Sequence, residues 1–94
     1  MGTFFMFGDY TPDSLKDMSA ERTDKAKALI EKFGGTFKAG YALLGDKDLV
    51  MIVEFPNKET AMKTSVALSK KLGIGFSTYP AVTFADFDNL LTEI

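Results

Sequence analysis

Apolar residues run unbroken through Phe4-Phe5-Met6-Phe7 and again through Leu49-Val50-Met51-Ile52-Val53. Successive side chains of a strand point to opposite faces, so a strand with one wet side alternates. These two do not alternate, and both of their faces need cover. Elsewhere the period changes. Leu15, Met18, Ala26, Leu29, Ile30 and Phe33 fall on one helical face. Ala61, Ser65, Leu68 and Leu72 form a second helical stripe, whose small residues suit close approach to a sheet.

Turn and cap residues divide these runs. A first strand is expected from Thr3 to Tyr10, ended by Thr11-Pro12-Asp13, with Thr11 as N-cap and Pro12 at the first helical position. Ser19 is a second possible cap, so the first helix can begin with a separate short turn. Glu21 and Lys25 make an i,i+4 pair on its wet side. Gly34-Gly35 ends it. The second strand is expected from Thr36 to Leu44, with Phe37, Ala39, Tyr41 and Leu43 on one side. Gly45-Asp46-Lys47-Asp48 turns into the third strand, Leu49 to Phe55. Asn57 caps a helix running to about Leu72, where Gly73 stops it. The fourth strand runs from Ile74 to Val82, and Pro80 within it marks an edge position. Thr83-Phe84-Ala85-Asp86 is a capping box opening a short helix with Phe87, Leu90, Leu91 and Ile94 on one side.

The order is βαββαβ plus a terminal helix, an α+β chain expected to form a single domain over residues 1–94. Right-handed crossovers fold it into a four-stranded antiparallel sheet with both long helices on one face. The first and third strands then lie in the centre, and these are the two doubly apolar ones. The helix-free face is left apolar at its middle, more so than monomers usually tolerate. A second copy of the same sheet is the simplest cover, giving a two-fold dimer with a barrel-like interior. A charge at Met51 or Val53 is expected to break that dimer if the residue faces the open sheet.

Composition narrows the chemistry. The net charge of −2 argues against a binder of nucleic-acid backbones. The third strand also lacks the interleaved basic and aromatic residues with which sheets of this order stack RNA bases. Neither cysteine nor histidine occurs, which removes thiolate chemistry, the commonest general base and the usual zinc and haem ligands. No metal or cofactor is expected. No apolar run spans a membrane and the N-terminus lacks a signal-peptide pattern, so the expected setting is cytoplasmic, without nucleic acid or membrane as partner.

Gly34-Gly35, the run Leu44-Gly45-Asp46-Lys47-Asp48-Leu49-Val50, Glu54-Phe55-Pro56 and the closing Thr78 to Phe87, together with Arg22 and the alanine-rich first helix, resemble the GYD domain. The resemblance covers nearly the whole chain. It implies a ferredoxin-like fold within the dimeric α+β barrel superfamily, and a homodimer. Gly45 and Asp48 match the family's Gly-x-Tyr-Asp-like hairpin, while Lys47 stands where its tyrosine is expected. The resemblance implies no settled activity, although the superfamily includes cofactor-free monooxygenases, isomerases and haem enzymes.

Six residues are candidates for ligand contact. Asp46 and Asp48 can anchor a ligand or act as a base at the cavity mouth, or simply serve the turn. Arg22 sits between Met18 and Ala26 on an apolar stripe, where it can clamp a carboxylate, pair with Asp48 or extend to the helix edge. Tyr10, Tyr41 and Tyr79 can donate to a carbonyl or enolate oxygen, or serve as packing. The lysines at 58, 63, 70 and 71 read as a solvated helix face, and the five methionines as core. Two functions follow: a homodimeric module holding a small apolar or carboxylate-bearing molecule between its sheets, or a cofactor-independent monooxygenase or isomerase. The enzyme needs a buried base drawn from Asp9, Asp46, Asp48, Glu54, a lysine or a tyrosine.

Overall fold

The computed structural model describes residues 1–16 and 19–94. Its elements are β1 (Gly2–Asp9), α1 (Pro12–Lys16), α2 (Ala20–Lys32), β2 (Thr36–Ala42), β3 (Leu49–Phe55), α3 (Lys58–Leu72), β4 (Gly75–Ala81) and α4 (Phe84–Leu91). The four strands form one antiparallel sheet in the order β2-β3-β1-β4. The doubly apolar strands are central, as their pattern requires, and Pro80 lies on an edge strand.

Local chemistry sets the boundaries. Thr11 and Ser14 cap α1 reciprocally: the Ser14 amide donates to Thr11 Oγ1 (3.1 Å) and the Thr11 amide to Ser14 Oγ (2.7 Å). The first helical region is therefore two helices. Leu15 belongs to the short one and is exposed rather than on the buried stripe; Met18 lies outside the described residues. Asn57 caps α3 by accepting the Thr60 amide at 2.8 Å. Gly73 ends α3 in the left-handed conformation, at φ 69°. Thr83 caps α4 by accepting the Asp86 amide at 3.0 Å.

The core lies between the sheet and α2 and α3. Phe4, Met6, Met51, Val53 and Phe55 meet Ala26, Ile30, Ala61 and Leu68 there. Met51 and Val53 thus face the helices, and the open-face positions of β3 are Val50 and Ile52, which pair across from Phe7 and Phe5. Thr64 is fully buried on α3, its hydroxyl donating to the Thr60 carbonyl at 2.8 Å. Ser65 is half-buried and meets the Thr78 hydroxyl at 3.0 Å. A β-bulge interrupts β2: Phe37 pairs with Val53 and Ala39 with Ile52, leaving Lys38 as the extra residue. The bulge shifts the alternation. Phe37 turns to the helix side, under Lys27 of α2 (4.9 Å from Nζ to ring centre), while Ala39 and Tyr41 share the open side with Val50 and Ile52.

The turn after β2 is tied to β1. The Asp48 amide donates to the Gly8 carbonyl (3.0 Å), and Asp48 Oδ2 accepts the Tyr10 amide (2.8 Å). Lys47 Nζ meets Asp9 Oδ2 at 3.1 Å. The other ion pair among the described residues is Lys38 with Glu54, at 3.9 Å; Glu21 and Lys25 do not form one.

Two stability changes are expected. A Cβ on Gly35 would lie 2.7 Å from the Phe55 ring and 2.9 Å from Ile30. Both neighbours are fully buried, so Gly35→Ala should cost about 1–3 kcal/mol in urea denaturation. Asp48→Ala leaves the Tyr10 amide without its charged acceptor and should cost about 1–2 kcal/mol, whereas Asp48→Asn, which keeps an acceptor oxygen, should cost less.

Candidate functional site

The sheet presents two different surfaces, and the candidate residues divide between them. On the open side, Phe5 and Phe7 of β1 lie beside Ile52 and Val50 of β3. Tyr41 flanks this strip on β2 and Tyr79 flanks it on β4. Phe7 meets Tyr79 edge to face, with ring centres 5.9 Å apart. The two tyrosines are 60% and 54% exposed. Among the described residues, neither hydroxyl makes a hydrogen bond. Beyond the sheet, α4 buries no residue and leaves Phe84, Phe87, Leu90 and Leu91 exposed.

On the helix side, a cavity of about 360 Å³ opens between α2 and the β2–β3 half of the sheet. Small residues border it: Ala26 on α2, and Gly40 and Ala42 on β2, with the Phe37 ring close over Gly40. Leu49, Ile74 and Phe76 supply apolar wall. Arg22, Lys27 and Tyr10 contribute polar groups. Arg22 donates through one guanidinium nitrogen to the Ser14 carbonyl. Its other terminal nitrogen, Nη1, is buried and has no hydrogen-bond partner among the described residues.

The carboxylates of the hairpin have structural work. Asp48 holds the Tyr10 amide, and its geometry is that of a capping acceptor. Asp46 is exposed in the turn. Asp9 is engaged by Lys47, and Glu54 lies beside Lys38. The buried polar residues among those described are Ser14 and Thr64, so none of the candidate carboxylate bases is buried. Lys47 is held protonated above its ordinary pKa, chiefly by its hydrogen bond to Asp9 and then by that carboxylate's charge. A raised lysine pKa means the pair's contribution is complete at neutral pH and fades only in strong alkali. Lys47 is therefore a fixed positive charge rather than a base.

Of the six sequence candidates, the structure brings Arg22 and Tyr10 together at the helix-side cavity and sets Tyr79 on the open face. Tyr41 lies on the open-face register of β2 and also borders the cavity at the strand. Asp46 and Asp48 line neither surface. The sequence reading missed Gly40, Ala42 and Lys27; small residues facing each other on a helix and an edge strand are the signal that could have found the cavity. Among the described residues no cluster is suited to holding a metal ion, and no helix is long and apolar enough to cross a membrane.

Comparison with known proteins bears on fold and family. The Mycobacterium tuberculosis feast or famine regulatory protein, solved in complex with L-methionine, matches 89% of this chain at a TM-score of 0.62 and 13% identity. The leucine response regulatory protein LrpA of the same organism matches 88% at 0.59 and 14%. The chain corresponds to 52% of the length of each. At such identity the likeness establishes the shared fold alone. No curated protein sequence matches the chain. The family model of the GYD domain matches residues 4–91, and the chain belongs to the GYD domain family.

Proposed function

We propose that this chain is a homodimeric small-molecule-binding domain. Two copies pair their open sheet faces, and the apolar space closed between the sheets holds a small apolar or carboxylate-bearing molecule. The exposed surface carries this reading. A compact monomer of 10.3 kDa exposes about 5,400 Å², and this chain exposes 6368 Å². The surplus, about 1,000 Å², is comparable to the roughly 800 Å² per partner that a standard interface buries. The radius of gyration agrees: 14.3 Å, against about 12.4 Å for a compact chain of this length. The surplus includes apolar surface on the partly exposed Phe5, Phe7 and Ile52 of the open face and on α4, which buries no residue. Tyr41 and Tyr79, their hydroxyls unspent, supply polar handles at the two sides of the strip. The Mycobacterium tuberculosis regulator solved with L-methionine, of whose length this chain matches 52%, supports the reading.

The alternative, a cofactor-independent monooxygenase or isomerase, lacks a supporting observation, since each candidate carboxylate is paired, capping or exposed.

Size-exclusion chromatography with light scattering should find a dimer, and native mass spectrometry of gently purified protein should find extra non-covalent mass on it. Ile52→Glu places a charge at the middle of the open face and should weaken dimerisation by at least about a hundredfold. A wild-type monomer at micromolar concentration would refute the pairing.

A further inference from the structure

The helix-side cavity has no part in the pairing of sheets, yet its composition is that of a ligand site. Its floor and walls are apolar, while its charged groups are all of one sign. Arg22 and Lys27 line it. An adjoining cleft of about 250 Å³ shares Arg22 and Leu72 with it and adds Ser19, Lys25 and Lys71. Among the described residues, no acidic one lines either space. In a chain with 13 acidic and 11 basic residues, four cations and no carboxylate among the described lining residues are a segregation of sign.

Arg22 lies where the two spaces meet, and it is held in place. Its donation to the Ser14 carbonyl anchors one arm of the guanidinium. Ser14 is itself fixed by three hydrogen bonds with Thr11. The other arm, Nη1, is buried without an acceptor among the described residues. A buried donor in that state has lost its water and gained nothing in return; a carboxylate in the cavity that Arg22 lines would satisfy it once the guanidinium turns that edge toward the space. The adjoining apolar volume, about 360 Å³, is at the small end of ligand sites.

We infer that this cavity is a binding site for a small amphiphilic carboxylate, distinct from the space between paired sheets. The head meets Arg22 in the field of Lys25 and Lys71, and the apolar tail lies against Leu49, Ile74 and Phe76. The site is complete within one protomer. Ala42 is the position whose missing bulk makes room for the tail, beside Gly40 with the Phe37 ring close over it, and Arg22 selects the charge.

Calorimetric and ¹H–¹⁵N NMR titrations with octanoate, and with 1-octanol as its neutral counterpart, test this. Octanoate should bind one per protomer and about tenfold tighter than 1-octanol, shifting amides of α2 and β2. Arg22→Gln should abolish that preference while leaving 1-octanol binding unchanged. Lys71→Glu, at an exposed position, should weaken octanoate alone. Ala42→Phe, on the rim of the edge strand, should block both probes. Ile52→Glu lies on the opposite face and should bind octanoate as the wild type does, even as a monomer. Equal binding of the two probes, no binding of either, or octanoate binding that survives Ala42→Phe would overturn the inference. Loss of octanoate in Ile52→Glu would also overturn it, by moving the ligand between the sheets and leaving the dimer proposal intact.

Discussion

The pairing of two strands that are apolar on both faces governs the rest of this structure. β1 and β3 can lie beside each other only at the centre of the sheet, because an edge would leave apolar side chains wet on three sides. Their helix-facing halves set the core: Met6 and Val53 are fully buried against a layer that includes Ile30 and Leu68. Each such side chain contributes roughly 1.5–3 kcal/mol by leaving water. Their other halves, Phe5, Phe7 and Ile52, stay only partly covered. One protomer thus satisfies half of what its central strands demand.

The two sides of the sheet solve different problems. The helix side fills its centre with large side chains, then thins toward β2, where Ala26 faces Gly40 and Ala42. Packing a helix over small residues without closing the gap leaves a void that an optimally stable core would not keep. The open side carries cross-strand aromatic and branched pairs, Phe5 with Ile52 and Phe7 with Val50. Charge follows the same division. The acidic groups Asp9 and Glu54 are balanced by Lys47 and Lys38, whereas no described acid lines the cavity beside the cations around Arg22.

Features that depend on a few neighbouring residues were legible in the sequence. Asn57, Gly73 and Thr83 act where their residue types predict, because a cap is a contact within one turn. Central placement of the first and third strands was legible too, since continuous apolar runs have one stable place in such a sheet. The bulge at Lys38 was not. Phe37, Ala39, Tyr41 and Leu43 alternate without interruption, and only pairing with Val53 and Ile52 shows that the phase slips. The same limit hid Thr64, which reads as polar but hides its hydroxyl on its own helix. Arg22 was identifiable as a charge on an apolar stripe. Which space it serves depends on side-chain volumes contributed from two distant segments, and no local pattern encodes that sum.

Both margins of the sheet are interrupted, β2 by its bulge and β4 by Pro80. An uninterrupted margin invites further strands to add on, and successive additions have no natural end. A proline withholds a donor from any such ladder, and a bulge twists the strand away from it. The lateral direction, in which this sheet could grow into a ribbon, is therefore blunted on both sides, while the perpendicular direction remains sticky. Sticking face to face consumes the adhesive surface in a single event. A sequence with nine phenylalanines and a half-covered sheet has in this way a brake on fibre growth, and under the proposed pairing its apolar excess would be spent in a closed pair.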